Sequence, residues 1–324
     1  MVAEPTFLVG AEQSGSTLLR LMLDSHPEVA FAEQIDCLIE AIGADGSLPS
    51  LSDFKIHLTN YPAFVHSGFD LDESVDFAEA VNRFLQGRQI SKGASTVGAT
   101  VHRHFVRALT LWPEARFIHL LRDPRDVGPA RMAEGLAGNI WHALDRWVQT
   151  EDEWATLSRI VPADRLMTVR FEDLISDHDS TLTSVCRFLG VDYTSQMLRY
   201  TQDTDYQEPC HRLAGDWRDT LTEREVRLAE ARVGRRLTEA GFQPSGLPPL
   251  TVTDRDLRRL QRTDRVGRAV RRVGSYGVRL TVADIAARRV GTESMQESLR
   301  VQFEQVEEAS RKKSWSDAEY RTSR

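Results

Sequence analysis

Residues 10–17, Gly-Ala-Glu-Gln-Ser-Gly-Ser-Thr, place a glycine, four residues, a second glycine and two hydroxyls in succession. That is the spacing of a phosphate-binding loop. Glycines let successive backbone N–H groups curl around an anion, and the following helix adds the positive end of its dipole. Where a magnesium-dependent NTPase has lysine before the last hydroxyl, this chain has Ser16. Triphosphate hydrolysis is therefore disfavoured, and what remains is a loop able to hold a phosphate group without a metal. An ordinary helix N-terminus could carry the same small residues. The loop's place between an apolar strand and a helix favours the phosphate reading.

A second cluster follows Phe117-Ile118-His119-Leu120-Leu121, which reads as a buried parallel strand. Arg122 comes at its carboxyl end, the edge where ligands of α/β sheets collect, and a guanidinium suits bidentate phosphate binding. Asp123 and Asp126 could instead pair with Arg122 and Arg125 as a structural network. His119 lies inside the apolar run and reads as a packed core residue, and His26 as a helix terminator before Pro27. His102 and His104, two apart on an expected helix, share no face and make no metal pair. Trp141, Trp147 and Trp154 fit core packing better than stacking on an acceptor.

These groups need elements to position them. Phe7 to Gly10 reads as strand, Leu18 to Leu23 as helix and Val29 to Phe31 as a second strand, with helices around 35–42 and 74–86. Gln89-Ile90-Ser91 is strand-like, and the pattern from Val97 to Leu111 predicts a helix stopped near Pro113. Strand follows at 116–121, a helix-rich stretch at 139–160, and strand again from Leu166 to Val169. Leu182, Val185, Cys186 and Leu189 keep helical spacing before Gly190, which suits a C-cap. Strands alternating with helices imply a three-layer α/β fold around a central parallel sheet.

Composition bounds the class. Hydrophobic residues make up 41% and charged residues 27% of 324, so the chain is neither disordered nor fibrous. Cys37, Cys186 and Cys210 are too few and too scattered for a disulfide framework or a zinc site. No apolar run reaches the roughly 18 residues a membrane span needs, and the start carries no signal-peptide pattern, so a soluble cytoplasmic protein is expected. Beyond the boundary at Gly246-Leu247-Pro248-Pro249 the composition shifts. Residues 251–324 carry 17 basic and 11 acidic side chains, leaving 24 basic and 37 acidic in residues 1–250. We expect an acidic body, residues 1–250, and an arginine-rich helical extension, residues 251–324. Acidic residues interrupt the arginine run and aromatic residues are nearly absent from it, which argues against nucleic acid. The stripe Met295, Leu299, Phe303 and Val306 is too apolar to leave in water, and self-association through the extension is the expectation.

In order along residues 6–243, the chain resembles the PAPS-dependent sulfotransferases, which transfer a sulfuryl group from 3′-phosphoadenosine 5′-phosphosulfate to a hydroxyl or amine. Residues 7–27 are similar to that family's 5′-phosphosulfate loop and helix, closest to the bacterial and tyrosylprotein-type branches. Residues 117–127 resemble its second signature, whose arginine grips the 3′-phosphate. Arg170-Phe-Glu-Asp-Leu174, Phe188-Leu-Gly190 and Gly215-Asp-Trp-Arg218 are smaller landmarks. The resemblance implies a metal-independent, in-line sulfotransferase with a P-loop fold and a small-molecule acceptor. PAPS would be held by Gln13, Ser14, Gly15, Ser16, Thr17 and Arg122, and Trp217 and Arg218 would close over the nucleotide.

Three departures qualify it. Gln13 stands where the family has a cation on the leaving phosphosulfate, a loss that usually costs about 2–4 kcal/mol in the barrier. Ala130 replaces a 3′-phosphate-binding serine, and Lys92-Gly-Ala-Ser95 keeps only the lysine of a lysine-hydroxyl-proline motif. Lys92, rare in an arginine-heavy chain, is the candidate to replace the missing charge, or else a solvated lysine. Glu33 is the candidate base for the acceptor proton, or else a surface carboxylate at a strand end. The alternative function is a sulfotransferase-fold protein that has lost PAPS chemistry and binds, or uses, another phosphorylated ligand.

Overall fold

The computed structural model describes residues 2, 4–58, 61, 74–204 and 214–290. They fall into two compact units. One holds the described residues up to Ala130 together with Leu144–Thr251, and the other holds Arg131–Ala143 together with the described residues from Val252 on.

The first unit is built on a parallel sheet of five strands, β1 (Thr6–Val9), β2 (Val29–Gln34), β3 (Thr96–Val101), β4 (Arg116–Leu121) and β5 (Leu166–Arg170), in the order β2-β3-β1-β4-β5. Every residue of β1 is buried, because the central strand of a parallel sheet is covered on both faces. On one face Phe7, Val9, Val97, Ala99, Val101 and Phe117 pack with Phe54, Phe77, Val81, Leu85 and Trp112. On the other, Leu8, Phe31, Ile118, Leu120 and Val169 pack with Leu19, Met22, Leu174, Leu182 and Val185. The helices Leu51–Leu58 and Phe77–Lys92 thus cover one side, and Ser16–Asp24, Phe171–Ser176 and His178–Leu189 the other. This is the three-layer α/β architecture expected, and Gly190 is indeed the left-handed C-cap of its helix, at φ 79°.

Register aligns the functional edge. Val9 pairs with Val101 on one side and with His119 on the other, so the segments leaving β1, β3 and β4 emerge at one rim of the sheet. Two expectations here are corrected. The stretch 97–111 opens with strand β3, followed by a 3₁₀ turn at Phe105–Arg107 and a short helix at Ala108–Leu111. Gln89-Ile90-Ser91 is the last turn of the helix Phe77–Lys92, with Ile90 71% exposed. For β3 the reason is that a buried parallel strand reads as an apolar run at either period.

In the second unit, the helical segment Asp254–Val290, kinked at Gly277 (φ 78°), begins with a reciprocal cap in which the Asp256 N–H donates to Thr253 Oγ1 and the Thr253 N–H to the Asp256 carboxylate. Its buried face carries Leu260 and Asp264. Asn139 donates to the Leu260 carbonyl at 2.7 Å, and the Gly138 N–H donates to Asp264 Oδ1 at 2.8 Å. A second charge contact, Arg268 to Asp264 at 2.7 Å, completes that carboxylate's environment. Val266, Val270 and Val278 are more than 60% exposed. The stripe Met295, Leu299, Phe303 and Val306 lies outside the described residues. No helix among the described residues is long and apolar enough to cross a membrane.

Candidate active site

The loop leaving β1 turns through two left-handed residues, Gln13 (φ 72°) and Gly15 (φ 93°), on either side of Ser14. Such alternation turns successive N–H groups to one side and makes an anion-binding nest. Two glycines are dictated by geometry. A Cβ on Gly10 would lie 2.6 Å from the Leu120 carbonyl oxygen, and one on Gly15 would lie 2.2 Å from the Phe171 ring. Gln13 is in the same left-handed region without glycine's freedom, at a cost of about 1–2 kcal/mol. The turn is held by Arg122, whose Nη1 donates to the Gln13 carbonyl at 3.0 Å. The Ser14 hydroxyl is buried with no hydrogen-bond partner among the described residues. A hydroxyl in that state inside a nest, directly before the nine-residue helix Ser16–Asp24, suits an oxygen-rich anion.

Beside the loop lies a turn that the sequence reading placed on a helix. His102 follows β3, its Nδ1 2.9 Å from the Gly10 carbonyl oxygen and its Nε2 3.3 Å from Ser16 Oγ. Arg103 bonds the loop's own acid, with Nη2 2.6 Å from Glu12 Oε1, and reaches Glu40 Oε1 at 3.5 Å. Asp36 holds the turn from below, its Oδ1 accepting the His102 and Arg103 N–H groups at 2.8 and 3.0 Å. Burial pushes the Asp36 carboxyl above the usual carboxylate range, against the opposing pull of His102. His104 is left-handed at φ 54° and exposed, and its N–H donates to Glu153 at 3.1 Å. Partial desolvation, with help from Arg107, holds its imidazole below the ordinary histidine value.

Arg122 lies with its guanidinium 4.4 Å from the Phe171 ring centroid, and burial lowers its pKa against the pull of Asp126, Glu172, Asp123 and Asp216. Trp147 donates to the Arg122 carbonyl at 3.0 Å. Of the two expected alternatives for the aspartates, Asp123 does form a structural pair, bonding Arg125 at 2.7 and 2.9 Å. Asp126 instead accepts the N–H groups of Gly215 and Trp217 at 2.7 and 2.8 Å, which ties that segment to the end of β4. Trp217 is buried, with the Arg125 and Arg218 guanidinia 3.9 and 4.4 Å from its ring centroid. Ala130, half-buried on the helix Pro124–Ala133, offers no hydroxyl. His119 is a core residue, as expected, stacked 4.6 Å from Trp154 and 3.1 Å from Glu151.

Gln13, Ser14, Gly15, Ser16, Thr17 and Arg122 are thus brought together, and Trp217 and Arg218 reach the same edge through Asp126. Two expected residues are not, and both are corrected. Lys92 Nζ donates to the Asp24 main-chain carbonyl and lies 3.3 Å from Asp24 Oδ1, at the far end of the helix that starts at the loop. Nine residues of helix put that end about 12 Å from the loop, so Lys92 cannot compensate Gln13. Glu33 is the extra residue where β2 slips against β3, exposed and 3.8 Å from Arg20, in keeping with a surface carboxylate. The groups that were missed, His102, Arg103, His104 and Asp36, carried one signal. Val97, Ala99 and Val101 alternate as a strand does, which would have put the next residues at the ligand edge.

The comparisons with known proteins bear on the family and the fold. A model of the sulfotransferase family matches residues 5–195, well over half of the chain, and the chain belongs to that family. Protein-tyrosine sulfotransferase 2 of Gallus gallus is 20% identical over 204 residues, covering 60% of this chain and 53% of its own length. The chain therefore spans about half of that relative. The sulfotransferase domain from the curacin biosynthetic pathway superposes with a TM-score of 0.57 at 17% identity, covering 76% of this chain and 99% of that domain. The sulfotransferase domain of the Synechococcus PCC 7002 olefin synthase superposes with a TM-score of 0.50 at 22% identity, covering 70% and 94%. These two share the fold.

Proposed function

We propose that the protein transfers a sulfuryl group from PAPS to a hydroxyl or amine of a small-molecule acceptor. The observation that carries this is the nest at residues 13–17, with the unpartnered, buried Ser14 hydroxyl at its centre and Arg122 drawn against it. In this reading the N–H groups of the loop, Ser14, Ser16 and Thr17 hold the 5′-phosphosulfate, Arg122 holds the 3′-phosphate, and Trp217 and Arg218 border the nucleotide. PAPS is the substrate that supplies an activated sulfuryl group, and no metal takes part. The acceptor oxygen attacks sulfur in line as the bond from sulfur to the bridging phosphate oxygen breaks, and PAP leaves. The acceptor's proton goes to His104, which is exposed, lies two residues beyond His102 in the chain and has its pKa held below the ordinary histidine value. Soluble, cytoplasmic localisation and self-association through the arginine-rich extension belong to the same proposal.

Titration calorimetry with PAP tests it against the alternative of a fold that has left PAPS chemistry. Binding with micromolar Kd, lost in Arg122→Ala, supports the reading. No detectable binding at millimolar PAP rejects it and leaves another phosphorylated ligand for the loop.

A further inference from the structure

A sulfotransferase loop without a cation presents a problem that the neighbouring arginine does not solve. Arg122 touches the nest but is assigned above to the 3′-phosphate, and Arg103 beside the loop bonds Glu12 and Glu40, the last three together carrying one net negative charge. The neutral Gln13 adds nothing. What the loop has instead is His102, 8% exposed and bonded across the loop from the Gly10 carbonyl to the Ser16 hydroxyl.

The partners dictate the proton positions. A carbonyl oxygen can only accept, so His102 Nδ1 carries a hydrogen. In the neutral ring Nε2 is then bare, and Ser16 must donate to it. Ser16 spends its single proton on the ring and turns its lone pairs toward the space in front of the helix N-terminus, where an anion would be repelled. A proton added at Nε2 reverses the arrangement. The imidazolium donates to Ser16 Oγ, the Ser16 proton is freed to point at an anion oxygen, and the loop gains a full positive charge one hydroxyl away.

Resting on the PAPS reading above, we propose that His102 is the conditional cation of this loop: binding of the phosphosulfate draws one proton from solvent onto His102 Nε2. The charge that the family carries permanently in the loop would here arrive with the ligand. Charged and titratable groups line the turn and the loop around His102: Asp36, from the segment after β2, accepts the His102 main-chain N–H, Arg103 of its own turn bonds Glu12 of the loop and Glu40, the N–H of His104 donates to Glu153 of the helix Asp145–Leu157, and Arg122 from the end of β4 donates to the Gln13 carbonyl. Asp36 accepts the His102 main-chain N–H and is the carboxylate placed to support the imidazolium.

The test is PAP titration calorimetry in two buffers of different ionisation enthalpy, which counts protons taken up, on the wild type, His102→Gln and His102→Lys. The nucleotide's own phosphates titrate alike in all three and cancel. The wild type should take up close to one proton more than His102→Gln. Its affinity should fall with rising pH more steeply than that of His102→Gln. His102→Lys, permanently charged, should bind at pH 8 as tightly as the wild type does at pH 6.5. Equal proton uptake in wild type and His102→Gln, or a folded His102→Lys no tighter at pH 8 than the wild type, overturns the inference. Melting curves establish folding, and where His102→Gln does not fold the comparison of wild type with His102→Lys decides. Binding of PAP by the wild type without the extra proton overturns the role of His102 alone. Failure of the wild type to bind PAP overturns the PAPS reading and this inference together.

Discussion

Replacing Gly15 by alanine strikes the loop at its most constrained point, and the structure lets the cost be apportioned. The residue sits at φ 93°, ψ 18°, a left-handed conformation that costs an alanine about 1–2 kcal/mol. Its added methyl would lie 2.2 and 2.4 Å from two carbons of the Phe171 ring, an overpacking that costs about 1–3 kcal/mol. Together these give about 2–5 kcal/mol, which at about 2–4 °C per kcal/mol for a chain of this size lowers Tm by roughly 4–20 °C. The same ring lies under the Arg122 guanidinium, so PAP affinity should fall as well. Thermal unfolding of Gly15→Ala alone and in a Phe171→Ala background separates the two contributions. With the ring gone only the conformational cost remains, so the cycle should show a coupling of about 1–3 kcal/mol. An equal cost in both backgrounds, or a Tm within about 2 °C of wild type, refutes the reasoning.

Lys92→Ala should leave kcat and PAP affinity within about twofold and cost about 1 kcal/mol of stability through the lost Asp24 contact. A hundredfold loss of turnover would return the lysine to the chemistry. Arg103→Ala leaves Glu12 facing the ligand without its guanidinium and should weaken PAP binding by at least about tenfold, while Glu12→Gln should strengthen it, both read by calorimetry. Because the His104 pKa is lowered, kcat should rise with pH through a value below that of an ordinary imidazole and then level off, and His104→Ala should lose about a hundredfold in kcat. Burial raises the Glu172 carboxyl above its usual range, so the native state holds that proton more tightly than the unfolded chain does. Glu172 therefore lowers stability as pH rises from its ordinary value through the raised one, and Glu172→Gln should flatten that part of the denaturant-midpoint profile. If the extension mediates self-association, aspartate at both Val266 and Val270 should convert a sedimenting dimer to monomer.

The loop and the Arg122 cluster were legible because their signals are local: glycines at a fixed spacing, and an apolar run ending in a guanidinium. What failed was β3. Thr96–Val101 is short and buried on both faces, so its apolar residues satisfied a helical template as well as an alternating one. That single exchange hid His102, Arg103 and His104 at the carboxyl end of β3 and left Lys92, chosen for its rarity, as the apparent cation. Rarity is a property of composition, and position came from packing. Glu33 failed differently, because a slip in register at the end of β2 is set by the neighbouring strand rather than by the residue itself. The grouping of Arg131–Ala143 with the C-terminal helix depends on contacts such as Asn139 to Leu260, which are separated by more than a hundred residues and leave no mark in the local pattern.

The central claim, that residues 10–17 and Arg122 grip one nucleotide, is tested most directly by a crystal structure of the full chain grown with PAP. The account predicts the 5′-phosphate within hydrogen-bond distance of the N–H groups of residues 14–17 and of Ser14 Oγ, with the 3′-phosphate on Arg122. A nucleotide bound elsewhere, or a loop left empty at saturating PAP, would contradict it.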